Sequence, residues 1–116
     1  MFVIKESEKT KTLIDLITLS RSIDEILQDL SKYSPESSED LVRIDIKDIH
    51  SVLTRALSGN VTTGDLEKWA NVIEGNESIA FETENCKEII FNLANPEINS
   101  PLNPELYRYL LKKYFL

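Results

Sequence analysis

Three glycines and four prolines are spread through 116 residues, so the backbone has few places at which it can turn sharply. A chain this poor in breakers is led toward helices, whose ends must be marked by capping residues instead. The apolar spacing agrees. Leu13, Leu16, Ile17 and Ser20 share one helical stripe with Ile14 beside it, and Ile23, Ile26, Leu27 and Leu30 repeat the i, i+3, i+4, i+7 pattern. Between them Ser22 stands three residues before Glu25, a capping-box spacing that starts a second helix or tightens a kink. The helical signal thus runs from about Glu8 to Lys32.

Ser34 to Asp40 carries no large apolar residue and reads as an exposed loop. Beyond it Val42, Ile44 and Ile46 alternate with Arg43, Asp45 and Lys47, which is strand-like but short and without a visible partner. Asp45 equally suits a helix cap, three residues before Asp48. Ile46, Ile49, Leu53, Ala56 and Leu57 then continue at helical spacing, with Gly59 as a left-handed stop. Thr62 or Thr63 caps a segment whose face is Leu66, Trp69, Ala70 and Ile73, closed by Gly75. Glu82 to Glu84 opens another, with Cys86, Ile89, Ile90, Leu93 and Ala94, ended by Asn95-Pro96. Asn103-Pro104 starts the last, carrying Leu106, Tyr107, Leu110, Leu111 and Tyr114. The expected fold is mainly α: a single helical domain over residues 1–116, with five or six short helices and at most a minor short strand.

Charge limits the partners. Thirteen Lys and Arg against twenty Asp and Glu give a net charge of -7. Between Asp65 and Glu88 only Lys68 and Lys87 face seven carboxylates. Phosphate binding draws on Lys and Arg, so direct nucleic-acid binding through this half is not expected. A basic protein partner is, because acidic surfaces attract one over about a Debye length. The longest apolar run, Met1 to Ile4, is far below the ~20 residues of a membrane span, and the N-terminus lacks a signal-peptide layout. With Cys86 as the single cysteine, the expected setting is a reducing one, the cytoplasm.

Residues that carry chemistry are sparse. His50 is the one histidine and could act as a general base, but no nucleophile motif accompanies it. Cys86 lies on an apolar helix face beside Glu84 and Glu88, which oppose thiolate formation. No zinc spacing, calcium loop or glycine-rich phosphate loop occurs, so no metal, cofactor or catalytic residue is expected. Trp69 reads as core on its helical stripe. The concentrated acids of the segment joining two helices are the stronger surface feature, and Glu74, Glu77, Glu82 and Glu84 are the expected partner-binding residues.

Trp69-Ala70-Asn71-Val72-Ile73-Glu74-Gly75 and Leu93-Ala94-Asn95-Pro96-Glu97-Ile98-Asn99 resemble a pattern in small bacterial helical proteins, some of which resemble toxin-immunity proteins. The likeness spans roughly Ile44 to Pro104. It departs from the pattern after the glycine, where Asn76-Glu77-Ser78 stands in place of an Arg-Asp-Asp-like triplet. The resemblance implies a bacterial, cytoplasmic, helical protein without an active site. The expected function is an immunity protein that neutralises a cognate toxin, such as a nuclease domain, through its acidic surface. An acidic helical adaptor or regulatory module with no toxin partner fits the same composition. Oligomeric state is not legible.

Overall fold

The computed structural model describes residues 2–33 and 40–115, with side chains from Glu8 onward. The expected loop therefore lies outside the described residues, apart from Asp40. In chain order the elements are α1 (Phe2–Thr18), α2 (Ile23–Leu30), β1 (Val42–Ile44), α3 (Ile46–Leu57), α4 (Thr63–Gly75), β2 (Ile79–Phe81), α5 (Glu84–Ala94) and α6 (Pro104–Tyr114). Among the described residues six helices and one two-stranded sheet make a mainly α fold around one continuous apolar core.

The caps fall where residue chemistry places them. Ser22 accepts a hydrogen bond from the Glu25 N–H and separates α2 from α1, so Glu8 to Lys32 holds two helices. Asp45 and Asp48 form a reciprocal capping box, each carboxylate accepting from the other's backbone N–H at 2.9 and 3.1 Å. Thr62, Thr83 and Asn103 cap α4, α5 and α6. Gly59, at φ 89°, ends α3 in the left-handed conformation that its lack of a Cβ permits. Helix α1 begins well before Glu8. Its early turns lack an apolar stripe, but their Lys and Glu residues are good helix formers.

Strand β1 and the Asp45 cap coexist, because the strand stops one residue before the cap. Its partner β2 runs parallel, pairing Val42 with Ile79, Arg43 with Ala80 and Ile44 with Phe81. The Leu41 N–H donates to the Ser78 carbonyl at 2.8 Å and the Glu82 N–H to the Ile44 carbonyl at 3.0 Å, closing the pair at both ends. A parallel pair needs a long crossover, supplied here by α3 and α4.

Helix α1 is held at its C-terminal end. Leu19 follows it at φ 48° and is buried; its N–H donates to the Leu16 carbonyl, and the Ser20 N–H to the Asp15 carbonyl, both at 3.1 Å. This is a Schellman cap with leucine where glycine is usual. Two other helices reach the same turn. From α4 the fully buried Trp69 donates its indole N–H to the Leu16 carbonyl at 2.7 Å. From α3 the Arg55 guanidinium donates to the carbonyls of Thr18 at 2.6 Å and Leu19 at 2.8 Å.

Trp69→Ala should lower stability by about 3–5 kcal/mol through the cavity it leaves. Trp69→Phe, which mainly loses the bond to Leu16, should cost about 1 kcal/mol; equal losses in urea unfolding would show that the indole N–H carries the effect. Arg55→Met keeps most of the stem but leaves two carbonyls without their cation. A loss of about 2 kcal/mol is expected, and a neutral result would mean that water replaces the guanidinium fully.

Candidate functional site

Helix α5 has two opposed faces. Cys86, Ile89, Ile90, Leu93 and Ala94 are buried against the core. The opposite stripe, Glu84, Lys87, Glu88, Phe91 and Asn92, has the same i, i+3, i+4, i+7, i+8 spacing and faces outward. The outer stripe forms one wall of a groove of about 480 Å³, completed by Glu74 at the end of α4, Phe81 on β2 and Asn99 after α5. Phe91 is 44% exposed, and Ile98, next to Asn99, is 71% exposed. A phenyl ring in the middle of a charged stripe has no role in the core.

Three carboxylates and one ammonium line this groove. Glu74 is held in place by Asn95, whose amide lies 3.4 Å from each of its oxygens and also donates to the Phe91 carbonyl at 2.9 Å. Glu84, Glu88 and Lys87 form no ion pair among the described residues. Ion pairs occur elsewhere: Arg21 bridges Asp15 of α1 and Asp29 of α2 at 3.1 and 2.6 Å, and Lys68 meets Asp24 at 3.3 Å. The hydrogen bond from Arg21 is the main cause holding the Asp29 carboxyl below the ordinary range.

The structure divides the four expected partner-binding residues. Glu74 and Glu84 line the groove. Glu77 and Glu82 are exposed outside it. Glu77 lies in the α4–β2 turn, where the Asn76 side chain accepts from the Ser78 N–H at 2.9 Å. Glu82 follows β2, beyond the same end of the strand pair as the Asp45–Asp48 cap, and its charge contributes to the field at Asp48. Glu88 and Phe91 belong to the groove instead. The signal for Phe91 was present in the sequence: it stands one residue beyond the Ile89–Ile90 pair, out of phase with the buried stripe.

Burial is the main cause raising the Asp48 carboxyl above its ordinary value; the hydrogen bond from the Asp45 N–H opposes it, while the charges of Asp45 and Glu82 add to it. His50 is exposed, with its ring edge-to-face on Phe115 at 4.8 Å. Cys86 is buried, and the Thr83 hydroxyl lies 3.3 Å from its sulfur. Among the described residues no group of acidic, His or Cys side chains is arranged to hold a metal ion, and no helix is long and apolar enough to cross a membrane.

No family model, curated protein or solved structure matches the chain.

A raised carboxyl pKa takes up a proton more readily in the folded state, so ionised Asp48 opposes folding above its folded pKa and that penalty disappears on acidification. Asp48→Asn retains an acceptor for the Asp45 N–H and removes the charge. Its stability relative to the parent should be highest near neutral pH and should decline as the pH approaches about 4, the unfolded carboxylate value. A pH-independent difference in chemical denaturation would show that the charge is immaterial.

Proposed function

We propose that this chain is an immunity protein, which binds a basic toxin domain through the carboxylates of the α4–β2–α5 face and blocks it by occupancy. The observation that carries this reading is the groove on α5, where Glu84 and Glu88 form no ion pair among the described residues and stand around exposed aromatic surface. A nuclease toxin suits such a surface, since it must present cations to hold phosphates and an acidic face competes for them. The net charge of -7 extends the attraction beyond the contact itself. The resemblance of the Trp69–Gly75 and Leu93–Asn99 segments to immunity-like bacterial proteins supports the same reading. In this role the protein acts in the cytoplasm of the cell it protects, needs no cofactor, and performs no catalysis.

The test is co-expression with the basic toxin-like domain encoded by an adjacent open reading frame. Growth should be restored by the parent chain. It should be lost with Glu84→Lys/Glu88→Lys, whose fold should survive because exposed charges change stability by about 0.5 kcal/mol each. The reversal should also slow association and flatten its salt dependence. Growth arrest unrelieved by the parent chain would overturn the immunity reading and leave an adaptor for a basic partner. Full rescue by the reversed variant would move the contact off the groove, with Glu77 and Glu82 next in line.

A further inference from the structure

We propose that the groove on α5 is a receptor for a single arginine side chain of the basic partner, presented beside an apolar residue. This rests on the function proposed above and specifies what the groove recognises. The argument begins with the mixture of its walls. A site for bulk cationic charge needs only carboxylates, yet here Phe81 and Phe91 share the groove with Glu84 and Glu88. Glu84, Glu88 and Phe91 lie along one face of α5, successive members three or four residues apart, so the two carboxylates and the ring are neighbours on one surface.

A guanidinium group matches that surface in both of its aspects. Its flat faces are weakly hydrated and stack on aromatic rings, while its edge presents N–H donors to carboxylates. A lysine ammonium is compact and strongly hydrated, so it gains less from the phenyl walls and cannot form the same planar fork. The groove volume of about 480 Å³ lies within the usual range for ligand sites, which leaves room for the arginine stem and a neighbouring side chain. Phe91, 44% exposed in the groove wall, and Phe81 supply apolar surface for that neighbour. Lys87 on the same stripe sets a limit. Its ammonium opposes a second cation close by, so an isolated arginine suits the groove better than an unbroken basic run.

The experiment is an NMR titration of the intact chain with three blocked peptides, Leu-Arg-Leu, Leu-Lys-Leu and Leu-citrulline-Leu. Citrulline keeps the shape of arginine without its charge. Backbone shifts should move at Glu84, Glu88, Phe91 and Asn99 with the arginine peptide, at an affinity at least about fivefold above lysine, and citrulline should not saturate. Phe91→Leu, which keeps apolar bulk but removes the ring, and Glu88→Gln should each weaken the arginine peptide about fivefold while leaving the amide spectrum folded. Equal responses to arginine and lysine, or shifts scattered over carboxylates outside the groove, would overturn the proposal. The two readings fail separately. Toxin rescue that depends on Glu84 and Glu88 without arginine preference would remove the arginine receptor and keep the immunity function. An arginine-selective groove in a chain that rescues no toxin would do the reverse.

Discussion

The C-terminal turn of α1 is the junction on which the other helices are arranged. Carbonyls at a helix end lack partners within the helix, and here those of Leu16, Thr18 and Leu19 receive donors from Trp69 on α4 and Arg55 on α3. A cation at this position also complements the negative end of the helix dipole. The turn holds Leu19 in a left-handed conformation that costs a leucine on the order of 1 kcal/mol, which burial of its side chain in the core offsets. Once α3 and α4 are docked on this turn, they form the crossover that brings β2 alongside β1. Helix α5 then packs extensively on α4, with its inner stripe buried and its outer stripe facing away.

Local signals in the sequence account for much of this architecture. A side-chain oxygen that caps a helix acts within three residues, so Ser22, Asp45, Thr62 and Asn103 mark their helices without reference to the rest of the chain. Gly59 is legible for the same reason. Strand β2 is not, because Ile79, Ala80 and Phe81 are too few to show a period and their partner lies across two helices. Arg55 and Leu19 escape in a similar way. Nothing within a few residues of Arg55 indicates that its guanidinium will serve carbonyls more than thirty positions earlier.

The candidate site was legible in its charge and not in its shape. Counting acids singled out Glu74, Glu77, Glu82 and Glu84 together because they are close in sequence. Strand β2 passes between them and sends Glu77 and Glu82 to different surroundings from Glu74 and Glu84. Glu88 joins the groove because it lies one helical turn beyond Glu84, a relation that helix periodicity supplies once the α5 boundaries are known. Phe91 needed a different question, namely which apolar residue the buried stripe leaves out.

The parallel sheet gives the groove a dependence on the whole chain. Phe81 takes its place only when β2 pairs with β1, and that pairing joins residues whose separation spans both α3 and α4. Contacts across such a distance form after the local helices, since loop closure must first be met by docking of the intervening segments. A nascent or nicked chain displaying α5 alone would therefore present its carboxylates without the opposing wall. Under the function proposed above, recognition would report on completed folding: only a molecule whose crossover has closed would offer the assembled surface to a partner.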